Sequence, residues 1–136
     1  ELSEIDIKFA LTQVKTSNYI QCDEEQLHRV FINLLKNSIE SIHEKRNKNV
    51  DFKGKINIDI RLDSDYIYVA IVDNGVGFDR VDKKKMLTPY FTTKKSGTGL
   101  GLAVVTKIIS DHHSLIEFNT ITNGAKVEVT IPRYYG

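Results

Sequence analysis

Apolar side chains recur at helical spacing over one long stretch in the first third of the chain. Asp23 in a capping position, with Gln26 three residues further on, indicates where the helix starts. Steps of three and four residues place the following side chains on one helix face: Leu27, Val30, Phe31, Leu34, Leu35, Ser38 and Ile42. The pattern therefore predicts a long amphipathic helix, followed by a solvated loop in the polar stretch 44–49.

Alternation of apolar and polar residues predicts most of the strands. Strands are predicted at 5–9, 55–62, 66–72, 115–119 and 125–131, with a further short strand at 19–22 and a second helix at 102–110. The segment Asp63-Ser64-Asp65 suits a short hairpin turn. This order of elements predicts an α/β fold with the helices on one side of a mixed or antiparallel sheet, rather than a doubly wound parallel sheet.

Composition and charge exclude several classes of function. The chain has 136 residues, of which 40% are hydrophobic and 27% charged, which fits a single domain (1–136) with a real core. A net charge of +1 gives no general field that favours nucleic acid or a membrane. No apolar stretch approaches the ~20 residues of a membrane span. Because the chain starts at Glu1 without Met, we expect a fragment of a longer protein.

A carboxylate beside two glycines follows the strand predicted at 66–72, in the hexapeptide Asp73-Asn74-Gly75-Val76-Gly77-Phe78. The carboxylate can accept a hydrogen bond from an exocyclic amine, and the glycines let a flat ring approach the backbone. This is one way to hold adenine. Asp-Asn-Gly is also a common turn signal, so the same residues can simply reverse the chain.

Two amides, Asn33 and Asn37, lie one turn apart at the edge of the apolar stripe of the predicted helix. Their carbonyl oxygens are suitable hard ligands for Mg²⁺, an ion that keeps most of its water when bound. The alternative is that the two amides bond the backbone of a neighbouring loop.

Five of the eight glycines lie in the segment 74–101, where hydrophobic periodicity is weak and a long loop is predicted. Its run Gly97-Thr98-Gly99-Leu100-Gly101-Leu102 opens the second helix, where backbone N–H groups can face phosphate oxygens. Leu102 excludes the dinucleotide fingerprint, and Lys94 immediately before Lys95 excludes a Walker loop. A flexible linker into a helix is the alternative.

The same loop carries lysines and an apolar group. Lys94 or Lys95, closest to the glycines, is best placed to meet phosphate oxygens. Pro89-Tyr90-Phe91 either anchors the loop on the core or contacts a partner. The four histidines show no catalytic grouping, and the single Cys22 gives a zinc site little support.

These motifs stand in one order along the chain: Asn33-Leu34-Leu35-Lys36-Asn37, then Asp73 to Phe78, Pro89-Tyr90-Phe91-Thr92-Thr93-Lys94 and Gly97 to Leu102. The set resembles the N, G1, F and G2 boxes of the ATP-binding catalytic domain of bacterial sensor histidine kinases. That domain is of the GHKL, or Bergerat, type, and the resemblance covers nearly the whole chain. The Pro-Tyr-Phe-Thr-Thr-Lys form is most similar to the nitrogen-regulatory NtrB/NtrY-like group.

The resemblance implies a two-layer α/β sandwich, with helices packed on one face of a mixed sheet of about five strands and a flexible ATP lid at about 74–101. ATP and Mg²⁺ are the implied cofactors. Asp73 would bind the adenine amine beside Gly75 and Gly77, and Asn37 would hold Mg²⁺, with Asn33 near the phosphates or the metal. The lid residues at the nucleotide would be Phe91, Lys94, Gly97, Thr98, Gly99, Leu100 and Gly101.

The chain departs from the family pattern at two places. Glu40 and Ser41 stand where many relatives carry a basic residue or Tyr. This argues against a phosphate contact from the helix and favours Lys94 as the residue that contacts the phosphates. His113-Ser114 replaces the Gly-Gly of relatives, which removes the expected glycine cap of the second helix.

The implied function is the catalytic domain of a two-component sensor histidine kinase. ATP-hydrolysing relatives carry Glu at the position of Asn33, and Asn cannot take a proton from water at neutral pH. We therefore expect γ-phosphoryl transfer to a histidine on a dimerisation domain absent from this chain, then to a response-regulator aspartate, with no catalytic residue in this chain. The expected parent is a cytoplasmic homodimer, with or without a membrane anchor, and with no nucleic-acid partner. The alternatives are a GHKL-type ATPase and a nucleotide-sensing interaction module.

Overall fold

A computed structural model describes residues 5–12, 24–77 and 101–133 of the chain. The elements in order are β1 (Ile5–Thr12), α1 (Glu24–Lys48), β2 (Gly54–Leu62), β3 (Tyr66–Asp73), α2 (Gly101–Asp111), β4 (Leu115–Ile121) and β5 (Gly124–Pro132). They form a five-stranded sheet in the order β1-β2-β3-β5-β4. β1 runs parallel to β2 and the other neighbours are antiparallel, which confirms the predicted mixed sheet.

One core lies between the two helices and a single face of the sheet. Alternate residues of the three central strands enter it, as the period of two along a strand requires. Its buried members are Leu27, Val30, Leu34 and Ile42 from α1, Val105, Ile108 and Ile109 from α2, and Ile56, Val69, Ile71, Phe118, Val127, Val129 and Ile131 from the sheet. Burying each of these side chains contributes about 1.5–3 kcal/mol, so the two layers hold one another in place.

The helix α1 is longer than the hydrophobic pattern predicts. The polar stretch 44–49 was expected to be a loop, but the helix continues through Lys48. Charged long-chain residues are good helix formers, and the basic side chains of the last turn, Lys45, Arg46 and Lys48, complement the negative end of the helix dipole. The other predicted boundaries agree to within three residues, and the strand predicted at 19–22 lies outside the described residues.

The turn between β2 and β3 is built on Asp63, in the segment predicted as a hairpin turn. Its carboxylate accepts hydrogen bonds from the N–H groups of Asp65 and Tyr66, at 2.8 and 2.7 Å, and from the Tyr68 hydroxyl at 2.8 Å. The Tyr66 N–H and these other donors hold the pKa of Asp63 below its ordinary value. The Arg133 N–H donates to the Asp65 carbonyl at 2.9 Å, so the end of β5 is tied to this turn.

The C-terminus of α2 keeps a capping geometry without a glycine. His113 adopts a positive φ of 53°, its N–H donates to the Ser110 carbonyl at 3.0 Å, and the Ser114 N–H donates to the Ile109 carbonyl at 3.0 Å. These two bonds form a Schellman motif. The glycine of relatives is thus absent, but the capping geometry is kept, because a histidine takes the left-handed position that glycine usually fills.

Neither helix in the described part of the chain combines the length and the apolar composition that a membrane span needs.

Replacing His113→Gly should raise the free energy of unfolding by about 0.5 to 1 kcal/mol, because glycine takes a positive φ without a Cβ penalty. Urea unfolding followed by circular dichroism measures the change. The control Ser110→Gly places the same residue at an exposed position inside α2, where it should lower stability by about 0.5 kcal/mol. An unchanged or lower stability for His113→Gly would contradict the strained cap.

Candidate functional site

The site is organised around Asp73, the last residue of the central strand β3. Its side chain follows Val69 and Ile71 on the core face and is only 6% exposed. The Gly75 N–H donates to its Oδ1 at 2.9 Å, and the Ser38 side chain hydrogen-bonds the same carboxylate. A polar group is thus placed at the edge of an apolar core, with partners from its own turn and from α1.

Burial is the largest influence on this carboxylate and raises the pKa of Asp73 above its ordinary value. The Gly75 N–H, the Ser38 side chain and the charge of Lys45 act in the opposite direction. A carboxylate has about four lone-pair sites, more than the two donors described here use. It is therefore suited to accept a further hydrogen bond from a ligand amine in a partly dry setting.

Asn74 fixes the chain directly after this carboxylate. Its Oδ1 accepts from the Lys55 N–H at 2.8 Å, its Nδ2 donates to the Lys53 carbonyl at 3.0 Å, and its own N–H donates to the Lys55 carbonyl at 3.2 Å. The Lys45 Nζ donates to the Asn74 carbonyl at 3.1 Å. Asn74 thereby extends the β2–β3 ladder by one residue before the chain turns away.

Close contacts from α1 hold the turn that follows. A Cβ on Gly75 would lie 2.3 Å from the Ser41 Oγ and 2.7 Å from the Ser41 carbonyl carbon, so only glycine fits there without a shift. The Val76 N–H donates to the Ser41 Oγ at 2.9 Å. The prediction that the hexapeptide turns the chain is correct for its described residues, and α1 determines the path of the turn.

The hairpin between β4 and β5 holds the same turn from the other side. Gly77 has a φ of +76°, and a Cβ on it would lie 2.7 Å from the Gly124 carbonyl oxygen. A Cβ on Gly124 would lie 1.9 Å from the Asp73 carbonyl oxygen. The segment from Asp73 to Gly77, which we call the base segment, is thus enclosed between α1 and the first residue of β5.

Asn33 and Asn37, both half-buried, lie on α1 in line with Ser41. Steps of four residues place the three side chains along one ridge of the helix, each about 6 Å further along the axis. Since Ser41 contacts the base segment, the ridge leads from that segment along α1 to the two amides. In the described part of the chain no three His, Cys, Asp or Glu side chains group as a metal site. Amide oxygens such as those of this ridge are suitable ligands for a hard cation that keeps most of its water.

The structure brings together some of the predicted site residues. Asp73, Gly75 and Gly77 form the base segment, and Asn37 and Asn33 lie on the ridge beside it. Gly101 is the first residue of α2. The remaining predicted residues lie outside the described part of the chain: Phe91, Lys94, Gly97, Thr98, Gly99 and Leu100.

Four residues at this site were missed by sequence reasoning: Ser38, Ser41, Lys45 and Gly124. Two signals were available for them. Ser38 is a polar residue inside an apolar helical stripe, and Lys45 continues that stripe one turn beyond Ile42. Ser41 was noted only as a departure from the pattern of relatives, and no signal in the sequence separated Gly124 from an ordinary turn residue.

Comparison with protein families gives one match over most of the chain. The family described as histidine kinase-, DNA gyrase B-, and HSP90-like ATPase matches residues 22–135. Sporulation kinase E of Bacillus subtilis is 37% identical over 114 residues, which is 83% of this chain and 14% of that protein. The sensor histidine kinase ZraS of Salmonella typhimurium is 35% identical over 130 residues, 95% of this chain and 26% of that protein.

A relative from Rickettsia conorii, named as a sensor histidine kinase NtrY-like protein, is 37% identical over 109 residues, 79% of this chain and 17% of that protein. The chain thus spans about a quarter or less of the length of these relatives. Among solved structures, the catalytic domain of histidine kinase ThkA, free of nucleotide, superimposes with a TM-score of 0.74 at 30% identity. The match covers 95% of this chain and 79% of that one.

Replacing Asp73→Asn should raise the stability of the ligand-free chain at neutral pH. Because burial raises the pKa of Asp73 in the folded state, folding favours its protonated form. The stability this provides is present below the ordinary pKa of 3.8 and is lost as pH rises through the higher folded value. Urea unfolding of both variants from pH 3 to 7.5 should show their difference growing with pH, whereas a constant difference would contradict the buried charge.

Proposed function

The chain belongs to the family of histidine kinase-, DNA gyrase B- and HSP90-like ATPases, and on this basis we propose that it is the catalytic ATP-binding domain of a two-component sensor histidine kinase. The observation that carries the proposal is the carboxylate of Asp73. It lies buried at the end of the central strand, is held by the Gly75 N–H and Ser38, and is enclosed by glycines. The alternatives, an ATPase and a nucleotide-sensing module, are outcomes of the tests below.

Adenine is the base that this carboxylate suits. The exocyclic amine of adenine donates to Asp73, and a purine with an oxygen at that position presents an acceptor to the carboxylate instead. Gly75 and Gly77 lie beside the ring in the proposed complex. Support comes from the fixed path of the base segment, because a site that is ordered before binding loses less entropy when the ligand arrives.

The phosphates and Mg²⁺ lie along the ridge of α1 in this proposal. Asn37 holds the ion through its amide oxygen, with Asn33 near the phosphates or the metal. When bound, Mg²⁺ neutralises charge on the phosphate oxygens. A lid at about 74–101 completes the site, with Phe91 as its aromatic residue and the phosphates held by Lys94, Gly97, Thr98, Gly99, Leu100 and Gly101.

Transfer rather than hydrolysis follows from the chemistry of Asn33. An amide cannot accept a proton from water at neutral pH, so this position offers no general base for hydrolysis. An imidazole needs no such activation, because it is already nucleophilic. Its nitrogen bonds the γ-phosphorus while the bond to the β-phosphate oxygen breaks and ADP leaves.

The partners follow from the same proposal. The acceptor histidine lies on a dimerisation domain of a longer, homodimeric kinase, and the phosphoryl group passes on to an aspartate of a response regulator. The domain works on the cytoplasmic side, where ATP and the response regulator are found. The match of this chain to a small share of several kinases supports a modular role of this kind.

Nucleotide titration tests the adenine site. Asp73→Asn should weaken Mg·ATP binding by about 10-fold to 100-fold, because a hydrogen bond to a charged acceptor is lost. Inosine triphosphate replaces the amine of ATP by an oxygen, so the wild-type preference for ATP over it should largely disappear in the variant. Isothermal titration calorimetry measures both ligands on both proteins.

Asp111→Asn is the matched control for this titration, since it removes an exposed carboxylate from the end of α2. This variant should bind both nucleotides like the wild type. Equal ATP affinity in the wild type and in Asp73→Asn would remove the adenine assignment.

Labelling with γ-³²P-ATP tests whether the γ-phosphoryl group is transferred to a histidine or released by hydrolysis. The isolated chain should bind nucleotide yet acquire no label, because none of its histidines is the acceptor. Phosphate release should stay slow, because Asn33 cannot act as a general base for hydrolysis. The full-length kinase should become labelled under the same conditions.

Label on the isolated chain would contradict the separate acceptor domain. Rapid phosphate release without any partner would indicate an ATPase instead. Binding with neither transfer nor hydrolysis in the full-length protein would indicate the nucleotide-sensing module.

A further inference from the structure

We propose that Lys45 is a positioning residue of the base segment, which it holds in the conformation that accepts adenine. The inference rests on the proposed function and adds to it a residue outside the motifs predicted from the sequence. Lys45 contacts neither Asp73 nor a bound molecule in this account. It acts through the main chain of Asn74 and, without contact, through the effect of its charge on Asp73.

The first observation is the geometry of its ammonium group. The Nζ donates to the Asn74 carbonyl at 3.1 Å, in a half-buried setting, and lies 4.8 Å from the centre of the Phe52 ring. A cation over an aromatic face is attracted by the ring, so Phe52 keeps the ammonium at this place. The carbonyl that it holds belongs to the peptide between Asn74 and Gly75.

That peptide links directly to the carboxylate. Its N–H group, on Gly75, donates to the Asp73 Oδ1 at 2.9 Å. A peptide is a rigid plane, so a fixed carbonyl fixes the direction of the N–H at the other end. Lys45 and Asp73 therefore hold opposite ends of one peptide, and loss of either contact leaves this peptide less constrained.

The second observation is the position of the half-buried Lys45 on α1. Lys45 follows Ser38 by seven residues and Ile42 by three, so it continues the buried stripe of α1. From this position its ammonium group reaches the Asn74 carbonyl and the face of the Phe52 ring, and lysine at the edge of a core usually places its charged head in this way. A lysine on the solvent face of the helix would not reach this position.

The third observation concerns charge. Lys45 is a cation that favours the ionised form of Asp73. Lys55 of β2 directly precedes the residue that pairs with Asp73 on that strand, and Lys126 of β5 directly follows the residue that pairs with Asp73 on the other side. Because side chains alternate along a strand, both lysines lie on the opposite face of the sheet from Asp73. On α2, Lys107 and Asp111 pair with each other at 3.4 Å and are exposed. Among the described residues, Lys45 is thus the charge placed to act on the buried carboxylate.

Substitution of Lys45→Met in this chain tests the inference, since methionine keeps an apolar stem and loses the charge and the donor. The dissociation constants of ATP and of adenosine should rise by the same factor, about fivefold to tenfold. Adenosine has no phosphate, so an equal loss assigns the effect to the base site. Calorimetry for ATP and competition for adenosine give the two constants.

A pH profile separates positioning from a merely structural role. In Lys45→Met the pH below which adenosine affinity falls should move upward, because the carboxylate keeps its proton to a higher pH without the cation. Lys45→Arg should restore most of the affinity and the profile. Lys107→Met, which removes an exposed lysine of α2, should change neither.

A loss for ATP alone would overturn the inference, because Lys45 would then act as a charge that attracts phosphate. Unchanged affinity for both ligands would overturn it too. If Lys45→Met does not fold, as judged by circular dichroism, Lys45→Leu, which also lacks the charge and the donor, replaces it with the same expectations. A wild-type chain that binds neither ligand would refute the proposed function itself, whereas wild-type binding with an unaffected variant refutes only the role of Lys45.

Discussion

The carboxylate of Asp73 lies almost fully buried at the end of the central strand, and the fold has to compensate its charge. An ionised group without partners in such a place costs several kcal/mol. Three groups offset that cost: the Gly75 N–H, the Ser38 side chain and the more distant charge of Lys45. The Gly75 N–H depends on the turn directly after β3, and the Ser38 side chain depends on the packing of α1 over the sheet. The charge of Lys45 depends on the continuation of α1 to its last turns. The placement and length of α1 are therefore tied to this one charge.

Close backbone packing makes that arrangement specific. Gly75 leaves no room for a Cβ against Ser41, and Gly124 leaves none against the Asp73 carbonyl. The base segment is held from one side by a helix and from the other by a strand, and both belong to the same core. Its path is thus set by the packing of the two layers rather than by the turn alone. A short sequence that reads as an ordinary turn is thus held along one path by elements from both layers of the fold.

The fold was largely predictable because it depends on periodicity. Helical and alternating patterns located every described element, and the error at the end of α1 has a clear cause. The polarity of residues 44–49 suggested a solvated loop. The ammonium group of Lys45 instead hydrogen-bonds the Asn74 carbonyl and lies over the Phe52 ring, and no local pattern reveals these partners. In the site, Asp73, Gly75 and Gly77 were found because their chemistry lies in one hexapeptide. Ser41 and Gly124 were not, because each acts on that hexapeptide across the packing of separate elements.

Helix α1 also explains how two distant parts of one ligand can be held together under the proposed function. Ser41 fixes the base segment at one point of the ridge, and Asn33 lies eight residues, or about 12 Å, further along the helix axis. Leu34 and Ile42 of the same helix are fully buried, so the ridge cannot shift without disturbing the core. α2 packs against α1 through that core and begins at Gly101, where the glycine run of the lid ends. In the proposed complex, the distance from the base segment to Asn33 and Asn37 is therefore set by one helix that is anchored in the core, and a change that loosens α1 should disturb both ends of the site.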